Sequence, residues 1–186
     1  DSGSDDHVNE MDKRVDLNHV SKCIRMLQKY PIDLKVNFMM GSPNETHIDI
    51  IKTIFYGTKL AFLGASTVSF YHFVPYPGTN FFNLVRNRQQ IPKDSDAFDE
   101  FLTSNLYNRL IEIKSYSIYV SSTSLRIYLW TAFISTCVTY FLFHPQEVVG
   151  TIKRIMTGKP KTVLEGVMID FIKMPIKIFK SLKHSA

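Results

Sequence analysis

Only two of the 186 residues are cysteine, Cys23 and Cys137, and more than a hundred positions separate them. That scarcity excludes a disulfide framework and a local zinc-ligand spacing, since both need cysteines grouped along the chain. It suits a reducing compartment, and the cytoplasm is the expected location. Cys23 falls among the apolar positions of a predicted helix and reads as a small buried hydrophobe. Residues 1 to 16 are acidic and polar and lack the apolar segment of a secretory leader. An initiator Met is missing as well, so the chain is expected to be the interior of a longer protein.

Net charge is also lacking over most of the length. Residues 1 to 143 carry 14 Lys and Arg against 14 Asp and Glu, while residues 144 to 186 carry 8 against 3. A basic tail suits an anionic surface such as lipid headgroups or nucleic acid, or is a solvated helix face. Nucleic acid is not expected, because no aromatic platform is interleaved with the charges of the tail.

What is present suffices for a core: 45% of the residues are hydrophobic and 13% aromatic. Asp16 can cap a helix over about residues 17 to 29, where Leu17, Val20, Cys23, Ile24 and Leu27 recur at helical spacing and Pro31 stops the pattern. From Asp33 the period falls to two, with Leu34, Val36, Phe38 and Met40 on one side and Lys35, Asn37 and Met39 on the other. Gly41-Ser42-Pro43-Asn44 then breaks the strand. Thr46 and Asp49 have the spacing of a capping box for a long helix carrying Ile48, Ile51, Ile54, Phe55 and Phe62, closed by Gly64. A second strand, Thr67 to Val74, ends at Pro75-Tyr76-Pro77-Gly78-Thr79, where Pro77-Gly78 fits a type II turn.

Helix, strand, helix, strand implies parallel strands joined by right-handed crossovers. Parallel α/β folds place their chemistry at the carboxyl ends of the strands, and both breaker-rich loops lie there. His72 shares a strand side with Phe70 and Val74 and is expected to be packed.

Four segments then match a known pattern in order and spacing: Asp1-Ser2-Gly3-Ser4, Met11-Asp12-Lys13-Arg14, Val36-Asn37-Phe38-Met39-Met40-Gly41-Ser42-Pro43-Asn44-Glu45-Thr46 and Phe73-Val74-Pro75-Tyr76-Pro77-Gly78-Thr79. Together they resemble the later half of radical S-adenosylmethionine (SAM) enzymes, most closely the members with an N-terminal cobalamin-binding domain. The resemblance implies an α/β fold: residues 1–90 as the C-terminal half of a partial TIM-like barrel of six β/α units, entered at the end of its fourth strand, and residues 91–186 as a helical C-terminal extension.

The resemblance also implies the site. Ser2 and Ser4 would be hydroxyl partners of SAM at the fourth strand, with Asp1 replacing the family's usual Glu. Met39 would contact adenine, with Asn37 on the same side of its strand. Gly41 would allow close approach of the ligand, and Glu45 would orient the loop or begin the helix. Val74 and Tyr76 would border adenine or substrate, and Asn44 stands where the family commonly has Gly. The implied activity is reductive cleavage of SAM by a 4Fe-4S cluster to a 5′-deoxyadenosyl radical, which abstracts hydrogen from a small-molecule or lipid-like substrate. Members with cobalamin often transfer a methyl group or rearrange a ring. The cluster needs three cysteines in a CxxxCxxC loop, and this chain has two in all. The chain alone is therefore not expected to be active. The alternative reading is a non-catalytic membrane-associated module whose strand loops are only turns.

Beyond Thr79 the resemblance fades. Phe81, Phe82 and Val85 begin a helix, Pro92 to Glu100 is polar loop, and Leu102 to Ile118 is expected to be helical. Residues 125 to 143 are mostly apolar and would make a helix of ~28 Å, about the thickness of a bilayer core. Arg126 at one end and the polar stripe of Thr131, Ser135 and Thr139 weigh against a span. Leu164, Val167, Met168, Phe171, Ile178, Phe179 and Leu182 line one side of a final segment bent at Pro175, with Asp170, Lys173, Lys177 and Lys180 on the other. Such a helix either lies on anionic lipid, as a peripheral membrane contact, or docks on the barrel.

Overall fold

A computed structural model of the chain describes residues 2–88, 91–92, 97–101 and 113–158. Asp1, residues 102–112 of the expected helix, and the basic segment from Leu164 to Leu182 lie outside the described residues. The chain divides into two units, Asp1–Tyr140 and Phe141–Ala186.

The first unit opens with a short helix that no periodicity announces, α1 (Asp5–Glu10), which buries His7 and Val8. Six residues are too few to display a 3.6-residue repeat, so tertiary contacts set this helix. α2 (Leu17–Leu27) begins where expected, with the Asp16 carboxylate accepting from the Asn18 N–H at 2.8 Å. Its buried side runs through Ser21 and Ile24. Cys23 lies at the flank, half-buried beside His19, and is not the fully buried hydrophobe expected.

β1 (Lys35–Met40) and β2 (Thr67–His72) pair in parallel, with Lys35 opposite Thr67 and Met40 opposite His72. The crossover between them is α3 (His47–Phe62). Its capping box is complete: the Thr46 hydroxyl accepts from the Asp49 N–H, and the Asp49 carboxylate accepts from the Thr46 N–H. Ile50 and Leu60 on its inner side are fully buried, each such side chain contributing about 1.5–3 kcal/mol. Gly57 lets the helix lie against the sheet, since a Cβ there would sit 2.7 Å from Cζ of Phe70. Phe70 is in turn stacked on Phe38 with ring centroids 5.4 Å apart.

Alternation divides the sheet as the period-two pattern predicts. One face, with Val36, Phe38, Val68 and Phe70, packs in a cluster with Ile24, Tyr56 and Leu60 from α2 and α3. The other carries Lys35, Asn37 and Met39 beside Thr67, Ser69 and Tyr71. Asn37 and Tyr71 remain exposed there, whereas Met39 packs against a cluster containing Phe73, Phe82 and Tyr116. The described architecture is thus mixed α/β around a small two-stranded parallel sheet.

Past β2 the Phe73 N–H donates to the Met40 carbonyl at 2.7 Å, and Gly78 takes φ +86° in the expected turn. α4 (Asn80–Asn87) follows, capped by the Thr79 hydroxyl. Two expectations fail next. Residues 97–101 are helical, not loop, and residues 113–118 are not helical. The Tyr116 and Ile118 N–H groups donate instead to the carbonyls of Gly41 and Pro43. Ser115 and Ser117 hydroxyls also accept backbone N–H groups locally, the competition that makes serine a poor helix former.

The apolar stretch is α5 (Ser122–Phe143), a helix of 22 residues that runs across the division between the units. Leu125, Leu129 and Ala132 cluster with Met40, Ile50, Ile113 and Val120. In the second unit α6 (Pro145–Thr157) starts on Pro145, ends on a left-handed Gly158, and carries a Glu147–Arg154 ion pair at 3.6 Å.

Candidate functional site

Where β1 ends, Gly41 turns the chain at φ +88°, a conformation that L side chains rarely adopt. The loop that follows folds over the side chain of Glu45, which is completely buried. Its Oε2 accepts from the N–H groups of Gly41 at 2.5 Å and Ser42 at 3.2 Å, while Oε1 is buried without a hydrogen-bond partner. Burial pushes this carboxyl up to about 7, against the two backbone donors that favour its charged form.

The loop is held from every side. Arg88, just past α4, donates to the Pro43 carbonyl at 3.0 Å and to the Asn44 side-chain oxygen at 2.9 Å. Asn44 donates in turn to Glu10. The Ser117 hydroxyl donates to the Glu45 carbonyl at 2.6 Å. Beneath Ser42 lies His7, 2% exposed, with Nε2 2.6 Å from the Ser42 hydroxyl and Nδ1 3.2 Å from the Glu10 carboxylate. With Nδ1–H donating to Glu10, Nε2 is left to accept the hydrogen bond of the Ser42 hydroxyl. Serine, histidine and carboxylate in that order match a nucleophilic triad. Ser42 is nevertheless 1% exposed and Phe81 stacks over the His7 ring at 6.1 Å, so the row acts as a brace that fixes the loop.

Ser2 and Ser4 lie close by, facing inward. The Ser2 hydroxyl is 3.0 Å from that of Thr53, and the Ser4 hydroxyl donates to Asp49 at 2.6 Å. Burial acts to raise the Asp49 carboxyl, but donors from Ser4 and Thr46 outweigh it and hold the group below its ordinary value. Gly3 lies so close to α3 that a Cβ would sit 2.7 Å from Cα of Thr53. Phe73 joins the same region, its ring edge-on to Phe81 and Tyr116.

The structure therefore gathers Ser4, Gly41 and Glu45 around the carboxyl end of β1, with Ser2 beside Thr53 of α3 and Met39 packed against the cluster of Phe73 and Tyr116. Asn37 is further back along the strand and exposed, Val74 is half-buried, and Tyr76 is 51% exposed in its loop. The space that Gly41 leaves by lacking a side chain is taken by Leu125 of α5, whose Cδ2 lies 2.5 Å from where a Cβ would stand. His72 is half-buried, and burial pushes its ring below the ordinary value. His7, Glu10 and Arg88 were not singled out from the sequence. The one available signal was the three-residue spacing of His7 and Glu10, legible only once α1 is known. No family model matches the chain, and no curated protein matches it.

Proposed function

We propose that this chain is the later half of a radical SAM catalytic barrel of the cobalamin-associated group, with a helical extension. The observation that supports it best is spatial: three of the four motif segments meet at the carboxyl end of β1. Ser4 and Thr46 both bond the Asp49 carboxylate, and Phe73 adds to the strand pairing at Met40. Further support comes from the sheet. Parallel sheets are normally covered on both faces, and a parallel pair with Asn37 and Tyr71 exposed on one face suits a piece of a larger barrel whose interior wall that face would be.

Asn37 and Met39 on that wall, together with Val74 and Tyr76 from the loop after β2, would bind and orient the nucleoside and amino-acid parts of SAM. Glu45 and the His7–Ser42 brace would keep the Gly41 turn in place. A 4Fe-4S cluster would supply the electron that cleaves SAM. The residues present do not fit it: two cysteines cannot give three thiolates, and the described residues gather no group of three His, Cys, Asp or Glu. Its ligands would come from another segment, and no step through it follows from this chain.

The test is made on the protein expressed from the whole reading frame that contains this chain. It is expected to bind SAM and to release 5′-deoxyadenosine on reduction, and Met39→Ala is expected to weaken SAM binding without unfolding the protein. A protein that binds no SAM overturns the reading. Two observations favour the second reading, a non-catalytic membrane-associated module: Leu125 fills the space beside Gly41, and Ser2 and Ser4 are satisfied internally.

A further inference from the structure

α5 is long and apolar enough to cross a bilayer, yet 22% of its most apolar window is buried within the fold. Leu125, Leu129, Ala132 and Thr136 lie along one side and are buried. Its flank is tied to α3 at both ends of this contact: the Tyr128 hydroxyl is 3.0 Å from His47 Nδ1, and the Ser135 hydroxyl is 3.2 Å from that of Thr58. α3 carries Asp49, Lys52 and Lys59, and Lys52 pairs with Asp6 at 2.9 Å. A spanning α5 would draw these charges into hydrocarbon, which is strongly unfavourable.

The opposite side of α5 presents Ile127, Trp130, Ile134 and Val138, each between 49% and 62% exposed and spaced at helical intervals. No charged residue occurs from Ile127 to Phe143. The exposed Thr131 hydroxyl bonds back to the Ile127 carbonyl at 2.9 Å, so it carries no unmet donor into an apolar medium. Directly after the helix come residues 144 to 186 with 8 basic against 3 acidic side chains, a charge complementary to anionic headgroups.

We infer that the outer face of α5 is a membrane-docking surface that lies in the plane of an anionic lipid leaflet, its axis parallel to the surface and its inner side kept on α3. The inference is independent of SAM chemistry: it holds or fails whether or not the protein binds SAM. It differs from a span in one measurable depth. Trp130 is the sole tryptophan. Were α5 to span, Trp130 would lie about 4 Å from the bilayer midplane, because the rise is about 1.5 Å per residue. In the plane of the leaflet it stays roughly 10 Å or more from the midplane.

The experiment mixes the full chain with vesicles of phosphatidylcholine containing about one third phosphatidylglycerol, and reads Trp130 fluorescence with quenchers placed near the headgroup or near the acyl-chain ends. The expected result is a blue shift, stronger quenching by the shallow label, and affinity about tenfold lower for pure phosphatidylcholine. Ile134→Glu combined with Val138→Glu is expected to abolish the shift while circular dichroism stays unchanged. Strongest quenching by the deep label overturns the inference in favour of a span. Absence of vesicle binding also overturns it, and concentration-dependent self-association would then assign the face to a second copy of the chain.

Discussion

Glu45 and Ile134 stand in opposite surroundings. The carboxyl group is sealed beneath a loop whose own N–H groups bind it, while the aliphatic side chain of Ile134 is 55% exposed on the outside of α5. Folding alone favours the reverse, since a buried carboxyl is destabilising and an exposed apolar face forgoes burial. At the carboxyl end of β1 the polar interior holds a glycine turn in a fixed shape. Along α5 the apolar exterior is suited to a medium other than water. The difference separates residues that shape a site from residues that present a surface, and mutation should tell the two regions apart.

The largest effect is expected at the turn. Gly41→Ala adds a methyl group at φ +88° and drives it to 2.5 Å from Leu125. Left-handed strain and overpacking together should cost about 3–4 kcal/mol in urea unfolding. Gly78→Ala sharpens the reading, because its φ of +86° is nearly equal but nothing lies within 4 Å of the added Cβ. It should cost about 1 kcal/mol, backbone strain alone. Equal costs at the two glycines would mean that the contact between Leu125 and the turn contributes nothing.

Next comes the carboxyl itself. Glu45 is raised from 4.5 to about 7 in the folded chain. Between those values the folded state holds a proton on Glu45 that the unfolded state has lost, so the Glu45 contribution falls as pH rises across the window, by about 3 kcal/mol, while His72, lowered from 6.5, acts in the opposite sense. Asp49 does not confuse the measurement: its carboxyl is lowered from 3.8, and its contribution is lost only on acidification below that value. Glu45→Gln mimics the neutral carboxyl and should flatten the slope of unfolding free energy between pH 4.5 and 7. A variant with the wild-type slope would show that Glu45 is not the group responsible. A smaller loss, about 1 kcal/mol, is expected for Thr46→Ala, which removes the hydroxyl that caps α3.

Local rules made much of this legible in advance. Period-two alternation assigned Phe38 and Asn37 to opposite faces, and the spacing of Thr46 and Asp49 announced the capping box. The brace on the loop was not legible, because it joins His7 to Ser42 across 35 positions and Arg88 to Asn44 across 44. Residues 113–118 misled for the same reason: their backbone follows Gly41 and Pro43, not their own apolar spacing. For α5 the composition announced a long apolar helix. Its buried side was set by Met40, Ile50, Ile113 and Val120, distant residues that no window around the helix contains.

The smallest effect tests the other half of the comparison. Ile134→Ser on the outer face should change unfolding free energy by no more than about 0.5 kcal/mol in buffer, since a side chain still 55% exposed gains little from the fold. Leu129→Ser, on the same helix but 8% exposed, should cost several-fold more because it opens the cluster around Met40 and Ile50. Adding anionic vesicles should reverse the ranking for membrane affinity: Ile134→Ser weakens binding, whereas Leu129→Ser, while folded, does not. If both substitutions instead cost the same in buffer, the outer face of α5 is covered within the protein, and its exposure cannot be what a membrane reads.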